Sequence, residues 1–84
     1  MTKTMVSGVP GLGARVREAR LAAGETQASL GALAGISGPG VARIEGGASQ
    51  PSLETAERLA WALEVRAGWL AFGEEPRSRR ATLG

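Results

Sequence analysis

Glycines at positions 24, 35, 46, 47 and 73 cut the chain into short segments, and the pieces between them carry apolar residues at helical spacing. In the first piece Leu12, Val16, Ala19 and Ala23 recur at i, i+4, i+7 and i+11, the rhythm of an amphipathic helix. Leu30, Leu33 and Ala34 supply the apolar face of a second helix, and Val41 with Ile44 that of a third. Leu53, Ala56, Leu59, Ala60 and Leu63 mark a fourth, and Trp69, Leu70 and Phe72 a short fifth. Thr26, Ser37 and Ser52 stand where a hydroxyl can cap the second, third and fourth helices. No stretch alternates as a half-buried strand does. The spacing therefore predicts an all-α domain. At 84 residues it is a single one, with a core that buries roughly 60% of the unfolded surface.

Punctuation also predicts the boundaries. Residues 1–10 are polar and read as a loose, flexible N-terminal arm. Residues 11–73 form the helical domain. Glu74-Glu75-Pro76 breaks the last helix, and residues 74–84, with Arg77, Arg79 and Arg80, read as a basic disordered tail.

Several kinds of chemistry are excluded by composition. The chain has no His, Cys, Asp, Asn or Tyr. A Cys–His metal set, a thiol nucleophile, an imidazole base and a disulfide are all ruled out. Gly11-Leu12-Gly13 is no dinucleotide fingerprint, because no strand precedes it and the third glycine is missing. The expectation is a protein that is not an enzyme, with no catalytic residues, metal, cofactor or small-molecule ligand. No apolar run approaches the ~20 residues that span a bilayer, and the first residues lack the apolar stretch of a signal peptide. A cytoplasmic protein with no membrane partner is expected.

Charge is segregated rather than large. The formal net charge is +2. Residues 1–50 hold Lys3, Arg15, Arg17, Arg20 and Arg43 against Glu18, Glu25 and Glu45, whereas Arg58 and Arg66 face five glutamates over 51–75. A basic face matters more for nucleic-acid binding than a basic total. Arg15 and Arg17 fit either a phosphate contact or a solvated helix face. Trp61 and Trp69 fit a core or dimer contact, and the apolar stretch from Trp69 to Phe72 is the expected dimer surface.

The segment Gln27 to Ile44 is the most informative. Two short helices meet across about three residues centred on Gly35, a corner that needs positive φ. A small residue is also needed where the helices touch, and Gly31 lies four residues before the turn. Leu30, Ala34, Ile36, Val41 and Ile44 would hold the crossing. This is helix-turn-helix spacing.

From about Leu12 to Gly73 the sequence resembles the phage repressor and Cro-like (XRE) helix-turn-helix family. Val16-Arg17-Glu18-Ala19-Arg20 is similar to the family's first helix, and Thr26-Gln27 to the opening of its second. Gly35-Ile36-Ser37 is similar to its turn, and Val41-Ala42-Arg43-Ile44-Glu45-Gly46-Gly47 to its third-helix ending. Pro51-Ser52-Leu53-Glu54-Thr55 resembles the start of its fourth helix, and Trp69-Leu70 its fifth. The resemblance implies a compact five-helix, lambda-repressor-like DNA-binding domain with a central helix-turn-helix. It implies a sequence-specific transcriptional regulator of double-stranded DNA, a repressor working as a homodimer on a palindromic operator, bacterial or phage-encoded. The alternative is a protein-interaction module on the same scaffold, an antitoxin or accessory subunit.

Residue roles follow from the same resemblance. The third helix would enter the major groove with Ser37, Gly38, Pro39, Gly40, Ala42 and Arg43 exposed. Gln27 would meet a phosphate beside the second helix's N-terminus, and Arg20 with Glu45 would form a buried structural ion pair. Arg43 is the best base-contact candidate, since Arg pairs with guanine through two bonds. Gly38-Pro39-Gly40 departs from the family, whose members usually carry polar side chains there. Two readings follow: close backbone approach with specificity from Ser37, Arg43, DNA shape and thymine-methyl contact by Pro39 or Ala42, or loss of base reading. Glu64, where the family favours Gly or Asn, and the uncapped Arg66-Ala67-Gly68 are lesser departures.

Overall fold

Each predicted cap hydroxyl closes onto the first turn of its helix. Ser37 Oγ accepts from the Gly40 N–H at 3.0 Å, and Ser52 Oγ from Thr55 at 3.1 Å. Thr26 Oγ1 accepts from Ser29 N–H at 2.9 Å while Ser29 Oγ accepts from Thr26 N–H at 2.8 Å, a reciprocal capping box. In a computed structural model that describes residues 11–79, five helices follow: α1 Leu12–Ala22, α2 Gln27–Ala34, α3 Gly38–Glu45, α4 Leu53–Leu63 and α5 Ala67–Phe72. The expected arm, residues 1–10, and the end of the expected tail, 80–84, lie outside the described residues. Among the described residues no helix is long and apolar enough to cross a membrane.

The core joins all five helices through Val16, Leu30, Val41, Leu59 and Leu70, which are fully buried, with Trp69 beside them. Two glycines set its tightest crossings. A Cβ on Gly31 would stand 2.5 Å from the Ile36 carbonyl oxygen, so α2 and the turn after it close only around a hydrogen atom. A Cβ on Gly13 would run into the Ile44 carbonyl oxygen, so the glycine lets α1 close against the end of α3. Gly35 makes the corner with φ 78°.

Four expected core residues lie outside. Leu33 is 59% exposed because α2 turns the stripe Leu30–Gly31–Ala34 inward and leaves Leu33 at its flank. Leu53 and Phe72 occupy the terminal positions of α4 and α5 and are exposed. Ala23 falls past the end of α1 as its C-cap and is exposed.

The expected disordered tail is corrected over residues 74–79. Glu64 ends α4 in the left-handed region at φ 59°, turning Val65 toward the returning chain. Val65 pairs with Ser78 in an isolated antiparallel bridge, with Arg66 N–H donating to Arg77 O at 2.9 Å and Arg79 N–H to Glu64 O at 3.0 Å. Arg77 stacks over Trp69 at 4.8 Å and bonds Glu18 at 3.0 Å, and Arg79 stacks over Trp61 at 4.7 Å. A composition that reads as disordered is thus held by cation–π and backbone bonds to partners remote in sequence.

Candidate nucleic-acid interface

The outer face of α3 is defined by what its inner face buries. Val41 and Ile44 point into the core, and Pro39, Arg43 and Gly46, at i, i+4 and i+7, are exposed on the other side. Ala42, half-buried, borders the same stripe. Pro39 sits in the first turn, where its missing N–H has no helical partner.

Gly38 and Gly40 do not belong fully to that outer face. Gly38 is half-buried, and a Cβ on it would stand 3.2 Å from Ala28 Cα on α2. A Cβ on Gly40 would stand 3.1 Å from the capping Ser37 Oγ. Both glycines are explained by packing within the protein. Ser37 is exposed, but its oxygen already accepts the cap bond.

Behind α3 lies a charged network. Arg20 donates through Nε to Glu45 Oε2 at 2.6 Å and through Nη2 to Oε1 at 3.1 Å, and its Nη1 reaches the Glu25 carbonyl at 3.1 Å. Gln27 Nε2 donates to the same Oε1 at 3.1 Å. The Arg20 and Glu45 side chains are 11% and 5% exposed, so the expected pair is buried. Burial pushes the Glu45 carboxyl up. The hydrogen bonds from Arg20 and Gln27, with the positive charges of Arg20 and Arg17, outweigh that and hold it below the usual carboxylate range. The Arg20 guanidinium is held above its ordinary value, first by the Glu45 hydrogen bond. The carboxylate therefore stays ionised and fixes the Gln27 amide beside the start of α2.

Arg17, Arg20, Gln27, Ala42, Glu45 and Gly46 line a shallow groove between α1 and α3. It joins the α3 face to Arg17, which is exposed. Arg17 gains its position by standing one turn before Arg20, a spacing visible in the sequence. Arg15 differs: its Nε and Nη2 donate to the Leu70 and Ala71 carbonyls at 2.9 and 3.0 Å. It fastens the end of α5 to α1 and is neither a solvated face charge nor placed at α3. The expected dimer surface is also reduced, because Trp69 and Leu70 fill the protein's own core and Phe72 alone of that stretch is largely exposed. Ala28, exposed beside Gly38 at the α3 lip, was not singled out by its residue type. Among the described residues no three His, Cys, Asp or Glu side chains gather to hold a metal.

A family model described as a helix-turn-helix domain matches residues 11–68. Among solved structures, the P22 c2 repressor protein, in complex with synthetic operator 9T in the presence of Tl⁺, superposes with a TM-score of 0.72 and 28% sequence identity. The match covers 75% of this chain and 96% of that one. Among curated proteins, none matches significantly.

Proposed function

The chain belongs to the helix-turn-helix domain family, of the phage-repressor-like (XRE) type, and from that premise we propose that it is a sequence-specific, double-stranded-DNA-binding transcriptional regulator. It acts in the cytoplasm without enzymatic chemistry, as a repressor that occludes its operator. Two copies bind a palindrome whose half-sites lie about one helical turn apart, because a single small domain makes few contacts.

The observation that carries this reading is the exposed α3 face, backed by a buried ion pair that locks its last turn to α1. In this reading α3 lies in the major groove. Arg43 pairs with a guanine. The lip Ser37-Gly38-Pro39-Gly40 and Ala42 follow the groove floor. Gln27, held by Glu45, offers its second amide N–H with the first N–H groups of α2 to a backbone phosphate. Arg20 and Glu45 are structural. Residues 11–73 serve as the DNA-binding domain.

Selection from a random duplex pool, with affinity measured across a salt series, tests the proposal. A steep loss of affinity with salt together with a selected palindrome is the expected result. A flat salt response and no selected sequence would mean a protein-interaction module on this scaffold.

A further inference from the structure

The core takes in one tryptophan and leaves the other outside. Trp69 is buried, whereas Trp61, on α4, is 67% exposed. Arg79 stacks over the Trp61 ring at 4.7 Å without covering it. That contact holds the ring in one orientation, so little side-chain entropy is lost when something packs on its open side. Leu53, Glu57 and Trp61 recur at i, i+4 and i+8 along one ridge of α4, and Leu53 is 75% exposed. Glu54 and Arg58, ion-paired at 3.3 Å, belong to the ridge beside it. The inner side of α4 packs on α1, α2 and α5. None of the outer residues lines the groove between α1 and α3. The α3 face can therefore be engaged while the outer face of α4 makes a separate contact.

Charge selects the occupant. Around Trp61 stand Glu54 and Glu57 against Arg58 and Arg79, two acids and two bases, all exposed. A nucleic acid or a strongly charged protein surface finds no excess charge to answer here. A twofold contact sets a patch against its own copy, and a balanced patch meets itself without single-sign repulsion. We infer that a second copy of this chain docks on the outer face of α4, with Trp61 and Leu53 as its apolar anchors. The inference rests on the homodimer proposed above and says where its two copies meet: at α4, and not at the stretch from Trp69 to Phe72. Trp and Arg are the residue types that dominate interface energies. Two copies of Trp61 and Leu53, with the polar side chains around them, bring together roughly 1,000 Å², the low end for a specific interface. The free protein therefore dimerises weakly, and adjacent half-sites supply the effective concentration that completes the dimer.

The test is sedimentation equilibrium of the full chain without DNA, at up to about 500 μM, which reveals even a weak dimer. A reversible monomer–dimer equilibrium is expected. Trp61→Ala raises its Kd about tenfold or more, because symmetry removes the ring from both sides. Arg79→Ala, which frees the ring, raises it about threefold. Leu53→Glu raises it about fivefold, and its acid suits the first turn of α4, so the helix is kept. Phe72→Ala, which removes the exposed aromatic of the rival surface, leaves it unchanged. Circular dichroism shows each variant to be folded. If wild type stays monomeric throughout, α4 is not a dimer face, whereas DNA reading is judged by the selection experiment alone. If a dimer forms and both Trp61→Ala and Leu53→Glu leave it intact, or Phe72→Ala alone weakens it, the second copy sits elsewhere and the assignment to α4 is wrong.

Discussion

The guanidinium of Arg20 lies across the carboxylate of Glu45, Nε 2.6 Å from Oε2 and Nη2 3.1 Å from Oε1, and so joins α1 to the last turn of α3. Removing one partner leaves a buried charge without its counterion. Glu45→Ala is expected to cost about 3–5 kcal/mol in urea unfolding. The double variant Arg20→Met with Glu45→Leu, which removes both charges, should lose less than the single one. A single variant that melts like wild type would mean the pair carries no stability.

The same pair sets an acid dependence. The Glu45 carboxyl is held low in the folded protein, since its bonds to Arg20 and Gln27 outweigh burial. In the unfolded chain it titrates near the usual value of about 4.3. Its contribution is therefore complete above that value and is lost as pH falls through the lower folded value. Unfolding free energy should decline on acidification below about pH 5. Glu45→Gln, less stable at neutral pH, should show a shallower decline.

Two glycines distinguish close packing from ordinary contact. Gly31→Ala drives a methyl to 2.5 Å from the Ile36 carbonyl, and relieving it must part α2 from the turn. The expected cost is about 1–3 kcal/mol. Gly46, with φ −84°, would place its methyl at an ordinary 3.4 Å from the Ala42 carbonyl. Gly46→Ala should be neutral or stabilise by up to about 1 kcal/mol. Equal losses in the two variants, by thermal melting, would contradict this packing.

What was legible in the sequence was local. Helix number and the caps at Thr26, Ser37 and Ser52 follow from 3.6-residue periodicity and short-range hydrogen bonding, which act within one turn. The Arg20–Glu45 pair was legible only through the family resemblance. Leu33 was misread because the small Gly31, absent from any apolar count, decides which side of α2 meets its neighbours. Residues 74–79 were misread because Arg77 and Arg79 find Trp69 and Trp61 only after the chain has folded. Arg15 left no signal because its partners are main-chain carbonyls, which every residue carries. Gly38 and Gly40 raised doubt about base reading, whereas Ala28 and the Ser37 cap account for both.

Arg15 holds the end of α5 by bonds to the Leu70 and Ala71 carbonyls. Charged hydrogen bonds of this kind contribute about 1.5–3 kcal/mol. Arg15→Ala should lower stability by about that amount, read by urea unfolding followed by circular dichroism. Its salt slope for DNA binding should equal that of wild type. A reduced slope with unchanged melting would place Arg15 on the DNA backbone instead.

Arg43 is the converse case. It is exposed, next to the apolar lip, and apart from the Arg20–Glu45–Gln27 network. Arg43→Ala should therefore leave the melting temperature unchanged. In the proposed complex Arg43 is the one side chain of α3 that bonds a base edge. Its loss should remove about 1–3 kcal/mol of discrimination at a single guanine, while preference at the other positions persists. Competition binding with duplexes altered at each position separates the two. A variant that binds every duplex more weakly by one common factor would make Arg43 a phosphate contact, and the base-reading assignment of α3 would fall.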